Sequence, residues 1–427
     1  MKKNETDFIE HGYFADTHSL ALSPAVPYDP NIQRYGLFGY LGAYDYTGEY
    51  GWRDESMSWR ETCYIGDWTS LNETTIKGPD AFAAMAWCFP CAFKNFEIGR
   101  SKHGLLCLDN GHVMTQGIIF RHGEDDFEYQ YGGMYPGPRD RMFEICSEKN
   151  FDVEFCYTGV TKFKFQVQGP NSLFTLEKAT GESLRDIKFM HFRHSTIAGH
   201  DVMIVRQGMS GDLGYEVQGD VNVGQEVYKA ILAAGQEFGI KRLGERVRML
   251  NHTLAGLLHE MCRRDYTPFE SGDLKSVVFD HDFFCRAVLE EAAANRTRGL
   301  IVLKWNPEDV LDIYASYFRT DKEAYRYIDM PCHGGLMYPN VPGVQNRVLM
   351  NGKDVGICFS PKYDYQTRTL ISNAIISLEC HEPGTEVTIV WGNEGEETKL
   401  VRATTTPAPY FKSPRRYMDV NTLPSYL

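Results

Sequence analysis

The sequence predicts an α+β fold in which two related α+β units precede a separate β-domain of barrel or sandwich type. Two observations carry the prediction. An apolar-alternating strand runs into Gly-Pro and then a helix twice, at Ile76-Lys77-Gly78-Pro79-Asp80-Ala81-Phe82 and at Phe165-Gln166-Val167-Gln168-Gly169-Pro170-Asn171-Ser172. Proline suits the first helical position because its φ is preset and its missing N–H has no helical partner there. Beyond about Arg298 the texture changes to short strands separated by turn-rich segments, including Gly299–Leu303, Val355–Phe359, Ile371–Ile376 and Glu386–Trp391. A length of 427 residues accommodates two or three such domains.

Taken in order, residues 1–34 read as a polar surface arm closed by Pro24, Pro27 and Pro30. Residues 35–150 are the first α+β unit, completed by about 240–296; residues 151–239 are the second unit, and residues 297–427 the β-domain and tail. From Tyr35 to Tyr46, tyrosines alternate with glycines too irregularly for one strand or helix, which suits a pocket lining or an aromatic loop packed on the body. Gly111–Phe120 and Phe127–Tyr131, separated by an acidic turn, predict a hairpin. Gln225–Phe238 predicts a helix with Val227, Ile231, Ala234 and Phe238 on one core face and Gly239 as its cap. The proline-rich tail from Pro407 onward is expected to wrap back over the surface.

A formal charge of -13 and a pI near 5.5 argue against nucleic acid as a partner. No apolar run approaches a membrane span and no signal core follows Met1, so a cytoplasmic protein with no membrane partner is expected. Eleven cysteines without a framework pattern read as reduced, mostly buried thiols, and Cys88-Phe89-Pro90-Cys91 as packing, not metal or redox chemistry. His191 and His194 can share a helical face, but no third ligand follows, so no metal is predicted.

The stretch richest in chemistry is Arg206-Gln207-Gly208-Met209-Ser210-Gly211-Asp212-Leu213-Gly214-Tyr215-Glu216. Its three glycines describe a strand that turns tightly and re-enters a strand carrying one carboxylate. Glu216 there is either a solvated hairpin residue or a grip for a flat ligand edge with two N–H donors.

This loop resembles the folate-site pattern R-x-G-x-[TSA]-G-x-x-G-[YL]-E of the glycine-cleavage aminomethyltransferase (T-protein) superfamily. Phe165–Ser172, Ile197-Ala198-Gly199, Phe279–Phe283, Trp305-Asn306, Ile313–Ser316 and Val390-Trp391-Gly392 look similar to one branch, the tetrahydrofolate-dependent aryl O-demethylases acting on vanillate- and syringate-type methoxyarenes. The resemblance runs from Tyr40 to about Pro409. It implies a T-protein-like arrangement of two folate-site units plus a C-terminal β-barrel, with tetrahydrofolate as methyl acceptor and a small, aromatic methyl donor. It implies that Glu216 hydrogen-bonds the pterin.

The resemblance also exposes departures. Arg248 stands where the branch has the tyrosine that assists the leaving oxygen, and Gln116 where an acidic residue faces the folate's reactive nitrogens. Gly132 replaces a folate-contacting arginine, Ser70 falls near the family's early histidine, and the 256–275 connector is short. The expected site is therefore Arg248, His252 and Tyr131 as catalytic groups; Glu216, Gln116, Tyr215, Arg206 and Gly208 around the folate; and Tyr44, Tyr46, Arg246 and Tyr135 around the substrate. Three readings follow: a folate-dependent methyl or one-carbon transferase, a folate-independent enzyme for a small aromatic or anionic substrate, and a non-catalytic folate or ligand binder or a subunit of a larger complex. The oligomeric state stays open.

Overall fold

The computed structural model describes residues 2–4, 32–38, 41–46, 51–132, 137–258, 260–332, 345–393 and 395–427. Two mixed six-stranded sheets and a barrel form their framework. The first sheet runs Lys2–Asn4, Glu154–Gly159, Asn72–Lys77, Asp126–Tyr131, Val113–Arg121, Ser101–Cys107. The second runs Phe192–Ile197, His200–Val205, Gly214–Asp220, Lys162–Gln168, Cys63–Asp67, Ile240–Arg242.

The strand–Gly-Pro–helix repeat marks the same place in both sheets. Asn72–Lys77 leads to the helix Ala81–Cys88, and Lys162–Gln168 to the helix Ser172–Thr180. Gly78 (φ +136°) and Gly169 (φ +119°) sit at equivalent bends, where a Cβ would come within 2.4 Å of the Asp152 carbonyl and 2.6 Å of the Thr62 carbonyl. Those same carbonyls accept the Asp80 and Asn171 amides at 3.2 and 2.9 Å. Each carbonyl lies just ahead of a strand that has changed partners. Cys63–Asp67 belongs to the first unit yet pairs with Lys162–Gln168 of the second, while Glu154–Gly159 opens the second unit yet pairs with Asn72–Lys77 of the first. The two units thus exchange their leading strands, and neither sheet closes without the other.

Period-two alternation then decides what lies between the sheets. Phe127, Tyr129 and Tyr131 turn toward the helices of their own unit, as do Phe163, Phe165, Val167, Tyr215 and Val217 of the other. The intervening residues, Glu128, Gln130, Lys164, Gln166, Glu216 and Gln218, are buried as well. A polar layer therefore joins the two units.

Beyond Arg298 the chain forms a closed six-stranded barrel in the order Arg298–Trp305, Lys399–Thr406, Glu386–Trp391, Gln345–Met350, Lys353–Phe359, Thr369–Ser377, with the last pairing back to the first. Closure removes the sheet edges and encloses Leu303, Val348, Ile376, Ile389 and the edge-to-face pair Trp305–Trp391, 5.4 Å apart. Of the two alternatives, barrel or sandwich, this is the barrel. The strands Gln345–Met350 and Lys399–Thr406, which complete it, are not among those singled out in the sequence.

Some local expectations need correction. Where an irregular loop is expected at Tyr35–Tyr46, Ile32–Phe38 and Leu41–Tyr46 pair as antiparallel strands, with Gly36 and Gly42 inside them. His191 and His194 do not share a helix, because His194 lies in the strand Phe192–Ile197 and His191 bridges to Arg100 and bonds Glu97 at 2.9 Å. All eleven cysteines are free. No helix of the described residues is long and apolar enough to cross a membrane, and no group of three His, Cys, Asp or Glu among them can hold a metal ion. The arm at 5–31 and Tyr135 lie outside the described residues.

Candidate functional site

The polar layer is built on matching positions of the two units. Glu128-Tyr129-Gln130 and Glu216-Val217-Gln218 occupy equivalent strands. Gln130 and Gln218 face each other and exchange amide hydrogen bonds of 2.7 and 2.9 Å. One strand over, Glu73 and Lys164 form an ion pair of 2.6 Å with both side chains fully buried.

The two equivalent carboxylates are treated differently. Glu128 is gripped by Lys162 at 2.9 Å, His122 at 3.1 Å and Gln130 at 2.7 Å. Burial opposes its ionisation, but Lys162 and His122 prevail and hold the carboxyl well below the usual range. Glu216, 2% exposed, is held among the described residues by amides alone: Gln218 at 2.6 Å, Gln166 at 3.0 Å and Gln207 at 3.4 Å. A carboxylate offers about four acceptor positions. One remains on Glu216, and the long Gln207 contact is the one a ligand donor would displace.

The glycines of the loop answer to Gln168. Its amide donates to the Gln207 and Tyr215 carbonyls at 3.0 and 3.1 Å and accepts from the Ser210 hydroxyl at 3.0 Å. A Cβ on Gly208 would fall 1.7 Å from that side chain, and one on Gly214 2.2 Å from it. Gly208→Ala should expel Gln168 and cost about 1–3 kcal/mol through the polar groups it leaves unbonded. Urea denaturation checks this, and an unchanged midpoint would mean that Gln168 does not organise the loop.

The tail clamps the same loop from outside. Arg415 pairs with buried Asp212 at 2.7 Å, the Ser413 amide reaches the Gly211 carbonyl at 3.2 Å, and Arg206 donates to the Met418 carbonyl at 2.6 Å. Arg206 and Gly208, expected at the folate, are thus engaged in loop architecture. Tyr215 and Tyr131 also need correction. One residue out of phase with Glu216 and Gln130, they turn into the two unit cores, where Tyr131 bonds Thr74 at 3.0 Å.

Arg248 anchors a second group of side chains. It lies on the helix Glu245–Leu254, which runs beside the strand carrying Tyr44 and Tyr46. Its guanidinium donates to the Asp67 carbonyl at 3.1 Å and lies 5.3 Å over the Trp68 ring. His252, one turn on, is 6.0 Å from the same ring. Trp68 in turn stacks on Tyr64 at 6.4 Å. Arg246 points elsewhere, toward the Met330 carbonyl at 3.4 Å.

Tyr64, Trp68 and Asn251 share one property. The Tyr64 hydroxyl, the Trp68 indole N–H and both polar atoms of the Asn251 amide are buried without a hydrogen-bond partner among the described residues. Burial pushes the Tyr64 phenol well above its ordinary value; Arg248 opposes the shift and Glu216 adds to it. Tyr64 therefore lies within electrostatic reach of both the pterin candidate and the leaving-group candidate. The apolar frame around it joins Trp59, Leu243, Val247 and Leu250 to Val302 and Ile371 of the barrel, with Met209 and Phe411 against its edge. Sequence reasoning missed Tyr64, Trp68 and Asn251; the packing neighbours of Tyr64 and Trp68 come from distant segments. The one available signal was a tyrosine and a tryptophan four apart at the end of a strand, just before Ser70.

Gln116 is also more than a substitution. Its Oε1 accepts from His103 Nε2 at 3.0 Å, and His103 Nδ1 meets Ser276 Oγ at 3.0 Å. Burial lowers the His103 pKa, with Asp273 opposing the shift and Arg263 adding to it. Arg263 and Asp273 form a buried 2.5 Å pair within the short connector, so that segment folds onto His103. The Gly132 carbonyl accepts from Thr115 at 3.2 Å.

Residues 32–279 match the family described as GCVT N-terminal domain. The chain is 31% identical over 424 residues to the sesamin methylene transferase of Sinomonas sp. (strain No.22), covering 88% of this chain and 92% of that one. It is 27% identical to the syringate O-demethylase of Sphingobium sp. (strain NBRC 103272 / SYK-6), covering 84% and 88%. In fold it is similar to the glycine cleavage system aminomethyltransferase T from Bartonella henselae, with a TM-score of 0.73 and 17% identity over 93% of this chain and 99% of that one.

Proposed function

The chain belongs to the GCVT family, and from that premise we propose that it moves a one-carbon group from an ether oxygen of a small methoxylated aromatic compound to tetrahydrofolate. The observation that carries this reading is Glu216, a buried carboxylate caged by amides instead of cations. The three amide N–H donors fix the direction in which it points. Its remaining acceptor position, with the one Gln207 would yield, fits the adjacent N–H donors on the edge of a pterin.

Tetrahydrofolate, when bound, supplies the nitrogen that accepts the one-carbon group. The protein's own contribution is alignment and charge. Glu216 fixes one reactant. Arg248, braced on the Asp67 carbonyl and the Trp68 ring, places a cation where negative charge grows on the departing aryl oxygen. A guanidinium stays protonated and cannot act as an acid. Proton handling is assigned to His252, one helical turn from Arg248, because an imidazole exchanges protons near neutrality. Tyr44 and Tyr46, on the adjoining strand, are assigned to the donor ring. Tyr131 drops out.

Tetrahydrofolate should raise the melting temperature of the wild-type protein, since at a hundredfold excess over Kd a ligand bound only by the folded state adds about 2.7 kcal/mol. Glu216→Gln should lose most of that rise. The reading is overturned if neither protein responds to tetrahydrofolate.

A further inference from the structure

We propose that Tyr64 is a catalytic residue: its hydroxyl donates a hydrogen bond to the aryl oxygen that leaves, in partnership with Arg248. The inference rests on the proposed transfer for what the oxygen belongs to, but the binding site it describes stands on the side chains alone.

Tyr64 lies on the strand Cys63–Asp67, with its ring wedged between Trp59 at 6.0 Å and Trp68 at 6.4 Å. Its exposure is 0%, and its hydroxyl makes no hydrogen bond among the described residues. A buried hydroxyl left unbonded costs on the order of 1–3 kcal/mol. Here the cost is not isolated. Among the described residues the Trp68 N–H is unbonded as well, Arg248 lies over the Trp68 ring, and the Asn251 amide, three residues after Arg248 on the same helix, is likewise unbonded. Two neutral donors, one amide and one cation gathered against aromatic faces describe a site for an oxygen-bearing aromatic ring that can become an anion. The charged and titratable groups facing it are Arg248 and His252 from the helix and Glu216 from the strand Gly214–Asp220.

The chemistry balances without a further reactant. The O–C bond breaks with its electron pair staying on the aryl oxygen, and the carbon bonds to the folate nitrogen. The proton displaced from that nitrogen ends on the oxygen, so an aryl ether and tetrahydrofolate become a phenol and methyl-tetrahydrofolate. Tyr64 donates without giving up its proton, and Arg248 balances the transient charge.

The test uses 4-nitrophenol, whose anion is coloured, with the full-length protein and no folate. The wild-type protein should bind it and lower its apparent pKa, read from the visible absorbance of the bound phenolate. Tyr64→Phe should weaken binding about tenfold, the loss of one hydrogen bond, and recover part of the ligand's pKa. Arg248→Met should abolish the pKa shift. Tyr64→Phe should also match or exceed the wild type in urea, because no intramolecular bond is lost. Absence of binding, an unchanged affinity and pKa in Tyr64→Phe, or a loss of its stability would each overturn the proposal. Phenolate binding that depends on Tyr64, without folate-dependent transfer from any methoxyarene, would instead keep this site and overturn the function proposed above.

Discussion

Lys164→Met is expected to cost about 3–5 kcal/mol of folding stability, the scale for removing one partner of a buried ion pair. The ammonium lies 2.6 Å from Glu73 with both side chains at zero exposure, and it also donates to the Leu71 and Lys162 carbonyls at 3.0 and 3.3 Å. Its loss strands a carboxylate between the two sheets. Lys162, 3.2 Å from Glu73 but shared with Glu128, compensates in part and places the expected loss at the lower end of that range. The double variant Lys164→Met/Glu73→Gln should recover most of the stability, because the stranded charge is gone. Urea midpoints of the two variants settle the matter. A single variant within 1 kcal/mol of wild type would mean that the polar layer does not hold the units together.

Arg248→Met should lower the transfer rate about a hundred- to a thousandfold, the usual consequence of losing a preorganised charge at a developing anion. Methionine keeps the apolar length that packs on Trp68 but leaves the Asp67 carbonyl without this donor, so a stability loss of about 1–3 kcal/mol is expected beside the fall in rate. Lysine at 248 should restore part of the rate but not the flat stacking on the indole. The informative comparison is kcat against KM: the fall belongs in kcat if the cation acts on the departing oxygen. A rate within threefold of wild type would remove Arg248 from the reaction.

What could be read from the sequence was local. The two Gly-Pro junctions have their own grammar of strand, positive-φ turn and helix start, and the structure places both at equivalent bends. The sequence did not reveal that the strands ahead of them are exchanged, because nothing in Cys63–Asp67 or Glu154–Gly159 specifies which sheet each joins. Alternation explains the misplaced tyrosines. Tyr215 and Tyr131 neighbour buried polar residues in sequence, but a strand turns successive side chains to opposite faces, so proximity in sequence put them on the wrong side. Gly208 was legible as a turn glycine, whereas the reason for it, the Gln168 side chain, comes from a strand forty residues earlier. Likewise Gln116 could be seen as a substitution but not as one end of a bonded set with His103 and Ser276. Tyr64 is the sharpest case. It looks like an ordinary strand aromatic until the helix bearing Arg248 and the strand bearing Glu216 are packed around it.

The most direct test follows the carbon itself. With a methoxyarene labelled at its methyl carbon and tetrahydrofolate, the label should appear on folate, the matching phenol should accumulate in equal amount, and Glu216→Gln should suppress both. Phenol formed at the same rate without tetrahydrofolate, with the label released into solution, would contradict the account.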